Sequence, residues 1–131
     1  MTVTLIRCPD LAPAPYAHAA RTPPGAVLVH TAGACPLDAS GAVVAPGDVA
    51  GQAAAAVENL VAALAAAGAG LDTVVRTTVC VASAERADLV AAWDVVRARF
   101  GDHDAPSTLL GVAVLGHPGQ LVEVEAVAVV P

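Results

Sequence analysis

Aromatic side chains are nearly missing from this chain: its 131 residues include one Phe, one Trp and one Tyr. The core must therefore be assembled from small aliphatic residues. Each buries modest area, so burial between copies of the chain is an advantage. Positive charge is also scarce, with six cationic residues against twelve acidic ones, a net charge of −6, and all six cations are arginines. Arg7, Arg21, Arg76, Arg86, Arg97 and Arg99 are scattered, with no basic stripe and no interleaved aromatics. That pattern excludes the electrostatic footprint of nucleic-acid binding. The three cysteines, Cys8, Cys35 and Cys80, are odd in number and share no CxxC spacing, so neither a disulfide framework nor a zinc site is expected. His18, His30, His103 and His117 lack ligand spacing, and no metal or cofactor is expected. Gly, Pro and charged residues interrupt the apolar runs, so a membrane span is not expected. The opening MTVTLIRCPD has no basic region ahead of an apolar stretch, which leaves the cytoplasm as the expected compartment.

What remains is a chain that is 56% hydrophobic and 14% charged, which predicts a folded domain spanning residues 1–131. Residues 2–7 alternate and suit an edge strand. The Pro- and Ala-rich stretch 9–25 reads as an ordered loop. A strand is predicted over 26–33, followed by 34–44 with turn chemistry at Asp38-Ala39-Ser40-Gly41. Over 49–68, Val57, Leu60, Val61 and Leu64 follow the i, i+3, i+4, i+7 spacing of an amphipathic helix, with Asp48 as N-cap and Gly68 or Gly70 as stop. The run 72–82 alternates β-branched residues as a strand does. A second helix is predicted from about residue 84 to 100, with Leu89, Trp93, Val96 and Phe100 as its stripe and Ser83 as cap. Strands at about 107–115 and 121–130 complete the order β-β-β-α-β-α-β-β, an α+β domain with two helices on one face of a sheet.

The last strand shows how the sheet is used. Val122, Val124, Ala126, Ala128 and Val130 form an apolar face suited to the helices. Leu121, Glu123, Glu125, Val127 and Val129 form the other face, which two helices cannot also cover. That face is expected to meet further copies of the same chain. No Lys or Arg occurs after residue 100 to answer the two glutamates from their own segment.

These elements and five local motifs resemble the Rid family, also called YjgF and formerly endoribonuclease L-PSP. The motifs are 12-APAPYAHAAR-21, 27-VLVHTAGACPLD-38, 48-DVAGQAAAAVENLVAALAAAG-68, 76-RTTVCVA-82 and 121-LVEVEAVAV-129. The resemblance implies a chorismate-mutase-like fold, a homotrimer, and small-metabolite clefts between subunits. It also implies hydrolysis of reactive enamines and imines, such as 2-aminoacrylate, to 2-keto acids and ammonia. In that family an arginine at the start of the penultimate strand grips the substrate carboxylate through two parallel charge-assisted hydrogen bonds. A last-strand glutamate handles water, and an early tyrosine lines the cleft. Carried over by motif, the glutamate is Glu123 and the tyrosine Tyr16. The arginine position holds Ser107, the residue before Gly33 is Ala32 where the family has serine, and the polar position of the second helix falls near Trp93. The chain thus resembles the arginine-lacking branches.

Each candidate carries a structural alternative. Glu123 is either a catalytic carboxylate or a structural acceptor of interface amides. Tyr16 and Trp93 line the cleft or fill packing. Ser107 binds a ligand or caps its strand. His117 is a turn residue or an acid–base group at a neighbouring cleft. Cys35 follows Gly33 near the cleft mouth, with no adjacent cation to activate its thiol. Glu125 is expected to pair with Arg76, and His30 to sit in core or interface. Two functions follow: an enamine or imine hydrolase using Glu123, with Tyr16, Ser107 and the Gly33 backbone holding the substrate, or a non-catalytic trimer binding a small ligand. Chorismate mutase chemistry fits less well, because it needs cations and the last strand is anionic.

Overall fold

The computed structural model describes residues 3–131, so Thr2 of the expected first strand lies outside the described residues. The elements are β1 (Thr4–Ile6), β2 (Ala19–Arg21), β3 (Val27–His30), α1 (Val49–Ala66), a 3₁₀ turn (Leu71–Thr73), β4 (Val74–Val81), α2 (Arg86–Phe100), β5 (Ser107–Gly111) and β6 (Val122–Val130). Four strands form a mixed sheet in the order β3-β6-β4-β5. The β4–β5 pair is parallel and the others are antiparallel. β1 and β2 make a separate antiparallel ladder, so the segment read as a loop contributes a strand at its end. Residues 34–44 add only two isolated bridges, Ala34 to Val124 and Leu37 to Val43. The turn between them is held by Asp38 Oδ1, which accepts from the Ser40 and Ala42 amides.

α1 begins where Asp48 Oδ1 accepts the Gly51 amide at 2.9 Å, and the chain leaves it through Gly68 at φ 82, a left-handed conformation that favours glycine. By length and composition alone this helix is apolar enough to cross a membrane, contrary to the sequence expectation. Its placement identifies it instead as a core helix. Ala53, Ala56, Val57, Leu60 and Leu64 pack on Val74, Val79 and Val81 of β4 and on Val122, Val124, Ala126 and Ala128 of β6. α2 starts two residues later than the sequence predicts. Ser83 is not its N-cap; its hydroxyl accepts the Glu85 amide at 3.0 Å and donates to Asp88 at 2.7 Å, bracing the first turn from outside. Ala92 and Val96 add its buried contribution to the same core. Truncating a fully buried leucine here, Leu60→Ala for example, costs about 2–5 kcal/mol.

β6 alternates as its sequence predicts from Val122 to Ala128, with valines and alanines under the helices and Glu123, Glu125 and Val127 on the opposite face. The alternation fails at the end, where Val129 is buried and Val130 only partly so. In β4 a register shift between Val74 and Arg76 places Arg76, Thr78 and Cys80 on the helix-free face, opposite Val127, Glu125 and Glu123. Thr108 and Leu110 of β5 and Leu28 and His30 of β3 extend that face. Leu28 and Leu110 are exposed on it.

Candidate functional site

Glu123 is fixed by the segment that follows β3. Ala34 exchanges both backbone hydrogen bonds with Val124, at 2.7 and 3.1 Å, which sets Gly33 and Cys35 beside the glutamate. The carboxylate lies directly over Gly33. A Cβ added there would stand 2.4 Å from Glu123 Cδ, so only glycine permits this approach. Cys35 Sγ donates to Glu123 Oε1 at 3.4 Å, and Cys80 faces Glu123 across the ladder. Burial, and then the bond to Glu123 and its charge, push the Cys35 thiol above its ordinary value, against an opposing hydrogen bond from Gln120. Burial and the charges of Glu123 and Glu125 raise Cys80 likewise. Both thiols are therefore neutral near pH 7 and not thiolate nucleophiles, and Cys35 is the one that donates to the glutamate.

Two amides on α1 hold this corner together. Gln52 is fully buried; its Nε2 donates to the Ala45 and Gly119 carbonyls, and its Oε1 accepts the Leu121 amide at 2.7 Å. Asn59 Nδ2 donates to the Cys35 and Leu37 carbonyls at 2.7 and 3.0 Å. Residues seven apart share a helix face, so the two amides clamp the lead-in to β6 and the Cys35 loop at once. The sequence reading missed both as positioning residues, although two amides on an otherwise apolar face were a legible signal. His117 is tied by its backbone, whose amide donates to Gln120 Oε1 at 3.1 Å, and it lines a hollow with Val43 and Pro46 whose lining does not include Glu123.

Tyr16 and Ser107 lie at the other end of the sheet. Tyr16 sets its ring edge against Trp93, with centroids 6.5 Å apart at 82°, and the Arg97 guanidinium covers Trp93 at 5.4 Å. Trp93 thus sits on the helix side, apart from Glu123. Ser107 Oγ bonds Thr77 Oγ1 at 2.7 Å, also on the helix side. Its neighbour Thr108 faces the other way, into a cavity of about 240 Å³ lined by Tyr16, His18, Arg76 and Ser107 as well. His18 stabilises this edge: Nδ1 accepts the Cys8 amide at 3.0 Å, so Nε2 carries the proton and donates to the Ala12 carbonyl at 3.1 Å. Arg7–Asp104, at 3.0 Å, and the bond from the Ala17 amide to the Asp104 carbonyl, at 2.8 Å, seat the Tyr16 loop against the start of β5.

The expected Arg76–Glu125 ion pair does not form. Among the described residues the ion pairs are Arg7–Asp104 and Arg99–Glu58, and Arg76 has no side-chain hydrogen bond. His30, Arg76, Thr78 and Glu125 instead border a second cavity of about 160 Å³. The structure thus gathers Glu123, Gly33 and Cys35 at one place and Tyr16, Ser107 and Trp93 at another. Arg76 stands four positions along β4 from Cys80, the residue opposite Glu123, which is about 13 Å of strand.

The family model described as Endoribonuclease L-PSP matches residues 9–130. Among solved structures, the Rid-family protein YyfB of Yersinia pestis is 30% identical, with a TM-score of 0.91, covering 98% of this chain and 99% of that one. Rv2704 of Mycobacterium tuberculosis, a member of the YjgF/YER057c/UK114 family, is 29% identical with a TM-score of 0.66, covering 98% and 100%. TdcF of E. coli, solved with bound serine, is 28% identical with a TM-score of 0.67, covering 98% of each chain. No curated protein matches the chain.

Proposed function

Since this chain belongs to the Rid family, the endoribonuclease L-PSP family, we propose that it assembles as a homotrimer whose inter-subunit clefts hydrolyse small enamines or imines to carbonyl compounds and ammonia. The observation that carries this reading is the placement of Glu123. Its carboxylate lies over Gly33 on the sheet face that no helix covers, with Oε1 engaged by Cys35 and no hydrogen bond to Oε2 among the described residues. An enamine first tautomerises to its imine; a water held at Oε2 then adds to the imine carbon while Glu123 takes one of its protons and returns it to the nitrogen, giving a carbinolamine. Glu123 next takes the carbinolamine hydroxyl proton and delivers it to the nitrogen as the C–N bond breaks, releasing ammonia and the carbonyl compound. The neutral Cys35 thiol keeps the carboxylate oriented without competing as a nucleophile. Tyr16 and the hydroxyls near Ser107 lie too far along the sheet to meet the same small molecule on one chain. A neighbouring copy packed on the bare face supplies them. The cytoplasm, where Cys8, Cys35 and Cys80 stay reduced, is the compartment proposed for it.

The test is a coupled assay with enzymatically generated 2-aminoacrylate. Activity in the wild type and its loss in Glu123→Ala support the reading; equal rates in the two refute it. The engagement of Ser107 by Thr77 and the serine bound to TdcF favour a second reading, a trimer that binds a small amino or keto acid without turning it over. That reading requires no release of ammonia and ligand binding retained in Glu123→Ala.

A further inference from the structure

A carboxylate ligand needs a cation, and Ser107 is not one. The bare sheet face offers one in a different strand. Arg76 is exposed there, has no ion pair or hydrogen bond among the described residues, and borders the cavity shared by Tyr16, Ser107 and Thr108. An arginine one rung from Glu125 that nevertheless makes no salt bridge with it has its full fork of donors available. The described residues lining that cavity include no Asp or Glu; the carboxylate that borders Arg76 is Glu125, which lines the adjoining cavity with it and makes no ion pair to it. Both His18 ring nitrogens are committed to backbone partners, so the imidazole is not free to meet a ligand. Thr108 and Tyr16 present hydroxyls without hydrogen-bond partners among the described residues, suited to the remaining oxygens of a small acid.

We infer that Arg76, reaching from β4, is the residue of this cleft that binds a ligand carboxylate, in place of a cation at position 107. The inference rests on reading this end of the sheet as part of the ligand cleft. The guanidinium approaches from the sheet face, with Thr108 beside it, and the Ser107 hydroxyl remains on the helix side with Thr77.

Calorimetric titration with pyruvate and with its uncharged amide, pyruvamide, at low salt tests this on wild type, Arg76→Gln, Arg76→Lys and Arg86→Gln. Arg86→Gln removes an equal charge at the start of α2. Wild type is expected to prefer pyruvate, and Arg76→Gln to weaken pyruvate roughly 10- to 100-fold while leaving pyruvamide unchanged. Arg76→Lys should recover part of the loss, and Arg86→Gln should match wild type. Equal pyruvate affinity in Arg76→Gln and wild type, an equal loss in Arg86→Gln, or no wild-type preference for pyruvate over pyruvamide overturns the inference. Should Arg76→Gln fail to fold, the Arg76 Nε–H resonance of wild type is followed during pyruvate titration, and an unmoved resonance also overturns it. Arg76-independent binding with intact 2-aminoacrylate hydrolysis defeats this inference alone. Arg76-dependent binding without hydrolysis defeats the hydrolase reading alone.

Discussion

At one end of the bare sheet face Glu123 is fixed from several sides: Gly33 beneath it, Cys35 on one oxygen, and Gln52 and Asn59 holding the two loops that meet there. At the other end Arg76, Tyr16 and Thr108 border an open cavity, and no hydrogen bond between described residues restrains their polar tips. The first end has the character of a preorganised reacting group, whose position must not change as the reaction proceeds. The second has the character of a ligand-holding surface, whose groups acquire partners only when something binds. Rigid corner and open cavity are two halves of one site only if a second copy brings them together.

The contrast is broken most severely through Gln52. Gln52→Ala leaves the Leu121 amide and two loop carbonyls without their partner and opens a void, at a cost of about 3 kcal/mol, or on the order of 10 °C in Tm by calorimetry. Asn59→Ala frees only the Cys35 and Leu37 carbonyls, and a destabilisation of about 1–2 kcal/mol in urea titration is expected. Gly33→Ala is smaller still in stability, roughly 1 kcal/mol, because the Glu123 side chain can swing away from the new methyl. Its consequence is functional: 2-aminoacrylate hydrolysis is expected to fall as far as in Glu123→Ala.

Proton uptake by the two thiols gives a finer probe. Their raised values mean that the native state holds these protons more tightly than the unfolded chain does. Their contribution to stability is complete below the unfolded thiol value of about 8.5 and declines as pH rises through the folded values. Alkylation of Cys35 and Cys80 by iodoacetamide at pH 8 should be slower than that of a free cysteine, and faster again in Glu123→Gln. Unchanged rates in that variant would remove Glu123 from the account of both thiols. At the open end the expected effect is least: Arg76→Gln alters stability by no more than about 0.5 kcal/mol, since no side-chain hydrogen bond or ion pair among the described residues is lost. A larger loss would mean that Arg76 is structural after all.

The order of elements from α1 onward, the one-sided helix layer and the position of Glu123 were legible because they rest on periodicity, which a sequence displays directly. Val122, Val124 and Ala126 against Glu123 and Glu125 needed no tertiary information. The partners of side chains were not legible in the same way. Whether Ser107 faces the ligand or Thr77 depends on the parallel register of β4 and β5. Whether Arg76 meets Glu125 depends on the register shift after Val74 and on where long side chains settle. The strand Ala19–Arg21 was hidden because three residues of Ala and Arg carry no strand signal; they become a strand by pairing with Thr4–Ile6. The N-cap of α1 followed from Asp48, whereas Ser83 braces α2 from one step outside, a distinction set by backbone angles and not by residue type.

The joining of the two ends by neighbouring copies is tested most directly by sedimentation velocity on the purified chain at micromolar concentration. A single species of three times the 12.8 kDa chain mass is the expected result. A monomer of 12.8 kDa would contradict the account, because Glu123 and Arg76 would then have no means of sharing one small ligand.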